Sequence, residues 1–176
     1  MAIGNNIKNA ASNTTDAARK QAQLARYTSL CAVVNKANVQ VNELKKINDD
    51  VQKAKQIIVS AKQLPNMVDK TLLLISQIQT ELQNGVIING KPAGQSLSSD
   101  ISRLKSGIRN PANEIVTICE TYINKKKGEA DKINTLIEQY KQQYNNLKNG
   151  DLGSYRSRIP SFPDVSTLIS AIHSAV

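Results

Sequence analysis

The sequence predicts an all-α fold, an elongated antiparallel helical bundle or coiled coil with one long N-terminal helix. Three observations support this prediction. Residues 15–64 contain no Gly or Pro, apolar residues recur there at alternating steps of three and four, and aromatic residues form only 3% of the chain. Large aromatic side chains usually anchor thick cores and deep pockets, so their scarcity favours a thin core between slender helices.

The first helix is predicted over residues 15–64. Thr14-Thr15-Asp16 offers an N-cap followed by an acidic charge in the first turn, and both features stabilise a helix N-terminus. Pro65 is expected to end the helix, because it lacks a backbone N–H and its ring clashes with the preceding turn. Residues 1–14 are polar and rich in Asn, and we interpret them as a flexible N-terminal arm.

The packed side of this helix is predicted to be a heptad seam, in which a and d positions alternate along one face. Asn48 and Lys55 interrupt the seam at a positions. In one interpretation Asn48 is buried and fixes the register and the oligomeric state. In the other, the seam turns to solvent there and Ala54, Ile57 and Ala61 continue a neighbouring stripe. The seam pairs either within the chain or between chains, and its packing residues are Tyr27, Leu30, Val34, Ala37, Val41, Leu44, Asn48, Val51 and Ile58.

Two further helices complete the predicted bundle domain, residues 15–150. One spans 66–83, and the other spans 99–148, begins at Ser98-Ser99-Asp100, restarts at Pro111 and bends near 125–128. We expect its packed face to include Ile115, Ile118, Cys119 and Tyr122, whose spacing follows a helix.

A small hairpin-like loop is predicted near residues 85–97, between the second and third helices. Val86-Ile87-Ile88 favours extended backbone, and Asn89-Gly90 favours a tight turn with positive φ. The loop places these three apolar residues outside the long helices, and we therefore interpret Val86, Ile87 and Ile88 as candidates for docking on a partner.

The C-terminal region, residues 151–176, is predicted to be an irregular linker followed by a short amphipathic helix. Pro160 and Pro163 flank the only Phe of the chain, and prolines limit the unfolded conformations of such a linker. The helix docks in a groove on a partner or caps its own bundle; the sequence leaves both alternatives open. The candidate docking residues are Phe162, Val165, Leu168, Ile169, Ile172 and Val176.

The sequence contains few residues that could support catalysis or bind a metal or a cofactor. His173 is the only histidine, it lies beside the apolar stripe of a short helix, and no nucleophile, zinc or dinucleotide motif is present. Cys31 and Cys119 follow apolar residues, whereas reactive thiolates need a basic environment. We therefore expect no enzymatic activity, no cofactor, no metal site and no catalytic residue.

The formal net charge of +9 predicts a weak, non-specific attraction to polyanions, because the Lys and Arg residues are spread along the helices. The longest strongly apolar run, Leu72–Ile75, is far shorter than the roughly 20 residues of a membrane span. The N-terminus lacks the apolar region of a signal peptide. We expect a soluble protein made in the cytoplasm.

These features favour a structural or assembly protein that packs long helices within a larger complex, with protein partners that include copies of itself. A virus or phage particle component fits the Asn, Gln, Ser and Lys bias. Two alternatives are an α-helical pore-forming toxin, for which Val86–Ile88 is a short membrane-entering loop, and a basic helical protein that binds nucleic acid.

Overall fold

A computed structural model describes the backbone of residues 2–82, 87–88 and 91–175, and the side chains of residues 12–74, 77 and 101–175. It confirms the all-α prediction, with a long N-terminal helix, a small hairpin and a short C-terminal helix. In chain order the elements are α1 (Ala2–Leu82), β1 (Ile87–Ile88), β2 (Lys91–Pro92), α2 (Ala93–Lys148), a 3-10 helix (Gly153–Arg158) and α3 (Ser166–His173).

The predicted hairpin joins α1 to α2. β1 and β2 pair antiparallel, with Ile87 opposite Pro92 and Ile88 opposite Lys91. The two residues between the strands are Asn89-Gly90, the dipeptide favoured in two-residue hairpin turns. The hairpin is shorter than predicted, because residues 93–97 belong to α2.

α1 is longer than predicted at both ends. It begins at Ala2, before the predicted N-cap, and it continues through Pro65 to Leu82. The predicted boundaries at residues 15 and 64 are therefore both wrong, and each has a physical explanation. Capping residues such as Thr14 start a helix only where the preceding residues leave the helical conformation, and no proline precedes them. At Pro65 the helix loses one backbone hydrogen bond, but burial of Ala61 and Leu72 on either side holds both halves in place.

α2 also differs from its predicted bounds. It begins at Ala93 rather than near residue 99, directly after Pro92, whose φ suits the start of a helix. Pro111 and Gly128 lie inside α2 without ending it. Ala112, next to Pro111, is 3% exposed, so packing stabilises the turn where the sequence predicts a restart.

Contacts divide the chain into two compact units, each containing part of α1 and part of α2. Unit 1 comprises Met1–Asn48 and Gly128–Ala171, and unit 2 comprises Asp49–Lys127 and Ile172–Val176. In unit 1 the core cluster joins α1 to α2 and to the segment after α2 through Leu30, Val33, Val34, Tyr144 and Leu152. In unit 2 the buried residues include Val51, Ala54, Ile58, Ala61, Leu72, Ala112 and Ile123.

On α1, most positions of the predicted seam are buried or half-buried. Leu30, Val34, Ala37, Leu44, Val51 and Ile58 are buried, and Tyr27, Val41 and Asn48 are half-buried. Lys55 is exposed while Ala54 and Ala61 are buried, as the second interpretation expects, but Val51 and Ile58 of the seam stay buried as well. Ile57 does not join this stripe, because Ile58 takes the buried position. In unit 1 the seam packs within the chain, against Tyr144.

Candidate functional site

In unit 2, α2 buries one line of residues and exposes the line beside it. The buried side carries Ala112, Val116, Cys119 and Ile123 at steps of four, three and four. The residues one position earlier follow the same steps, and we call them the outer line of α2. Ile118 of this outer line is 67% exposed.

The sequence prediction for this face of α2 is therefore partly wrong. Ile115, Ile118 and Tyr122 are exposed, and only Cys119 of the predicted set lies on the buried side. Adjacent residues on a helix point about 100° apart. The apolar arc of α2 is wider than the surface that one neighbouring helix covers, so half of the arc stays in solvent.

α1 shows the same arrangement in unit 2. Its buried line includes Ile58, Ala61 and Leu72, which are at most 6% exposed. The outer line again lies one position earlier. Its large apolar members are about half to two-thirds exposed: Ile57, Leu64, Met67 and Leu74.

The two outer lines lie on the same side of the helix pair. Asp50 contacts Tyr122 and Asp69 contacts Arg109, so residue numbers rise along α1 as they fall along α2, and the helices run antiparallel. In a right-handed helix the preceding residue is rotated by about 100° in a fixed sense. Reversing one helix of a facing pair therefore brings both preceding residues to the same side of the pair.

A hydrogen bond confirms this geometry at one end of the pair. Asp50 precedes the buried Val51, and Tyr122 precedes the buried Ile123. The Tyr122 hydroxyl donates to Oδ2 of Asp50 at 3.2 Å. The outer lines of α1 and α2 are thus adjacent rather than on opposite sides.

The two outer lines together form what we call the apolar face. When the steps are continued from Ile57 to Leu74 on α1 and from Tyr122 back to Leu104 on α2, none of the twelve positions is charged, and Ile108 among them is half-buried. Only Ser60 and Thr71 are polar, and the Thr71 hydroxyl donates to the carbonyl oxygen of Met67 at 3.0 Å. The apolar positions are Ile57, Leu64, Met67, Leu74, Leu104, Ile108, Pro111, Ile115, Ile118 and Tyr122.

The opposite side of unit 2 has a different character. Asp69 forms ion pairs with Arg109 at 3.2 Å and with Lys105 at 3.7 Å. Lys55 and Lys62 are exposed on the same side of α1 as Asp69. The helix pair therefore presents one charged side and one uncharged apolar side.

The predicted docking residues of the C-terminal region pack on their own chain. Phe162 packs against the core cluster of unit 1, and its ring lies 5.3 Å from that of Tyr144. Val165 and Ile172 are buried, and Leu168 and Ile169 are half-buried. The alternative in which this segment caps its own bundle is the one that the structure supports for Phe162.

The side chains of the other predicted docking residues are not among those that the structure describes. Ile87 and Ile88 form β1, but their side chains lie outside the described residues. Val86 and Val176 also lie outside the described residues.

Two tyrosines on the helices of unit 1 form hydrogen bonds with the C-terminal segment. The Tyr144 hydroxyl donates to the carbonyl oxygen of Pro160 at 2.9 Å, and the Tyr27 hydroxyl donates to that of Arg158 at 3.2 Å. The ring of Tyr27 stacks on Tyr155 at 5.0 Å. The pKa of Tyr27 is raised above its ordinary value. The main cause is a hydrogen bond with the Cys31 thiol, and partial burial of the Tyr27 hydroxyl is the second cause.

Asp151 is a second attachment point between α1 and this segment. Its carboxylate accepts hydrogen bonds from Gln23 Nε2 at 3.0 Å, from Arg19 Nε at 2.8 Å and from the Gly153 N–H at 3.2 Å. These donors, led by Gln23, lower the pKa of Asp151 below its ordinary value. Sequence reasoning missed this contact, because more than 120 residues separate its partners.

An open depression of about 530 Å³ lies between α2 and the C-terminal segment, with Lys141 and Asp164 in its lining. Lys141 pairs with Glu138 at 3.6 Å, and Asp164 accepts a hydrogen bond from the Ser166 N–H at 2.9 Å. That contact is the main cause of the lowered pKa of Asp164. The polar groups named here already have partners within the chain.

The described side chains contain no group of three or more His, Cys, Asp or Glu residues that could hold a metal ion. None of the helices, over the residues searched, has a stretch long and apolar enough to cross a membrane. Comparison with protein-family models, curated proteins and solved structures gives no match.

Proposed function

We propose that the protein is a non-enzymatic structural protein that assembles with other protein chains through the apolar face of unit 2. The observation that carries this proposal is the uncharged surface formed by twelve consecutive outer-line positions on two helices. Its members include Met67 and Ile118, which are 64% and 67% exposed. Water contact at so many apolar side chains is unfavourable, and burial against a partner removes it.

The size of the face supports an interaction site. Eighteen residue steps along α2, at 1.5 Å each, give a length of about 27 Å. Two helices that pack 8–10 Å apart give a width of roughly 18 Å, and hence an area of roughly 500 Å². Contiguous apolar patches of that size on soluble proteins usually mark contact sites, whereas single exposed apolar residues are common and need no explanation.

The remaining chemistry of the chain is consistent with a structural role. The only histidine, His173, is exposed at the end of α3. The ion pairs described above join α1 to α2, lie along one helix or hold the C-terminal segment on α1. We propose a large repetitive assembly, such as a virus or phage particle, as the setting, since long helices with lateral apolar surfaces suit repeated side-by-side packing.

Site-specific photo-crosslinking tests the proposal. A photoreactive amino acid replaces Ile118 on the apolar face, and in a matched control it replaces Val59, which is 50% exposed and lies outside the face. Both variants are expressed at native level in the source cells. We expect a discrete crosslinked polypeptide from position 118 and none from position 59.

Equal crosslinking at both positions, or no intermolecular product from position 118, would overturn the proposed function. Mass spectrometry of the product identifies the partner, including a second copy of this chain. Circular dichroism of each purified variant verifies that the helices are retained.

A further inference from the structure

We infer that the occupant of the apolar face is a second copy of this chain, and that two copies of unit 2 pair through this face as a four-helix bundle. The inference rests on the proposed function and names its partner.

Each helix of unit 2 carries more apolar surface than a two-helix pair needs. A strict two-helix seam requires one apolar line per helix, whereas the helices of a bundle require a wider face that includes a flanking position. α1 has the buried line through Ile58 and the outer line through Ile57. Between residues 111 and 123, α2 has the buried line through Ile123 and the outer line through Tyr122. The pattern is that of a four-helix bundle of which unit 2 supplies two helices.

The helix pair of a second copy of this chain matches the face in period and length. The outer lines of α1 and α2 alternate steps of three and four, from Ile57 to Leu74 and from Leu104 to Tyr122. Two identical faces therefore present the same spacing of ridges and grooves along their whole length. A two-fold axis lets one patch bury itself against its own copy, which is the commonest arrangement in homo-oligomers.

The area of the face meets the minimum for a specific dimer. Two faces of roughly 500 Å² each would bury about 1,000 Å² in total, at the lower end for biological interfaces. Interfaces of this size are weak or transient, so we expect a dissociation constant in the micromolar range or above.

The charge distribution also favours a second copy over an acidic partner. The face itself is uncharged, and the end of the face near Tyr122 carries Asp50, Lys53 and Lys125. No excess of positive charge on the face calls for a negative surface opposite it. The net charge of +9 makes two copies repel at long range, and salt screens such repulsion. Self-pairing should therefore strengthen with rising salt, whereas binding to an acidic partner would weaken.

Sedimentation velocity of the purified full-length chain tests the inference. The wild type and a Val59→Lys control are compared with Ile118→Lys and with Met67→Lys, which changes the face from the other helix. Concentrations run from about 1 to several hundred micromolar, at low and high salt. We expect dimers of the wild type and the control, favoured by salt, and monomers of both face variants with unchanged helical circular dichroism.

Three results would overturn self-pairing. One is a wild type that stays monomeric over the whole range, and another is equal dimerisation of all four proteins. The third is binding of the wild type, but not of Ile118→Lys, to phosphatidylcholine vesicles without dimerisation, which would assign the face to a lipid surface. If crosslinking at position 118 captures a different protein, self-pairing fails while the proposed function stands. Absence of any product there removes both.

Discussion

Tyr122 of α2 donates a hydrogen bond to Asp50 of α1 at 3.2 Å, and both residues directly precede fully buried core residues of unit 2. Together with the contact between Asp69 and Arg109, this hydrogen bond defines both the register and the antiparallel direction of the two helices. Because it places the outer lines side by side, it makes the exposed apolar residues of α1 and α2 parts of one surface rather than two separate stripes.

The first prediction compares two adjacent isoleucines. Ile58 is 6% exposed and Ile57 is 49% exposed. Ile58→Ala should lower the free energy of unfolding by about 2–4 kcal/mol, because it leaves a cavity in the core. Ile57→Ala should lower it by less than about 1 kcal/mol in the monomer. Urea unfolding at low protein concentration measures both, and equal losses would show that the two lines are not distinct.

The second prediction concerns the C-terminal segment. Truncation after Gly153 removes Phe162 and the partners of two tyrosine hydroxyls, and it uncovers Leu152, which is 0% exposed. We expect a loss of at least about 3 kcal/mol and a Tm lower by roughly 6–12 °C. Thermal circular dichroism measures the change. An unchanged Tm would instead favour docking of this segment on a partner.

The third prediction uses two glycines as a matched pair. Gly153 has a φ of 48°, in the left-handed region, and an added Cβ would collide with the Gln23 amide. Gly153→Ala should cost about 1–2 kcal/mol from the backbone conformation. Gly128 lies inside α2, with nothing within 4 Å of an added Cβ, so Gly128→Ala should stabilise by about 0.5–1 kcal/mol. Thermal unfolding that gave both changes the same sign would contradict this assignment.

The fourth prediction is a pH dependence. The pKa of Asp151 is lowered in the folded chain, first by Gln23 and then by Arg19. The folded state therefore binds this proton less readily than the unfolded state. The associated stability is present above the ordinary pKa of 3.8 and is lost as the pH falls through the lower folded value. Asp151→Asn should unfold with a weaker dependence on pH below about 4, measured by urea titrations at several pH values. An unchanged dependence would show that Asp151 does not contribute.

The seven-residue spacing on α1 was sufficient to predict most of its buried residues. Leu30, Ala37, Leu44, Val51 and Ile58 share one heptad position, and all five are buried. Between Leu30 and Val51 these positions form a continuous apolar line at helical spacing, and such a line favours one packed side.

The same method failed on α2, where two apolar lines lie next to each other. Ile118 and Cys119 fit the helical period equally well, and only the position of α1 decides which line is buried. The predicted breaks at Pro65 and Pro111 failed for a related reason. Local preference at one residue was outweighed by packing on both sides, and the packing partners lie far away in sequence.

The distribution of aromatic residues gives the chain a built-in optical reporter. It has no Trp, one Phe and five Tyr, and all of these except Tyr122 belong to the segments of unit 1. Near-ultraviolet circular dichroism and tyrosine fluorescence will therefore follow unit 1 and its fastened C-terminal segment almost exclusively. Far-ultraviolet circular dichroism sums the helices of both units. If the two signals change at different temperatures during one melt, their difference separates the unfolding of unit 1 from that of unit 2 without any label.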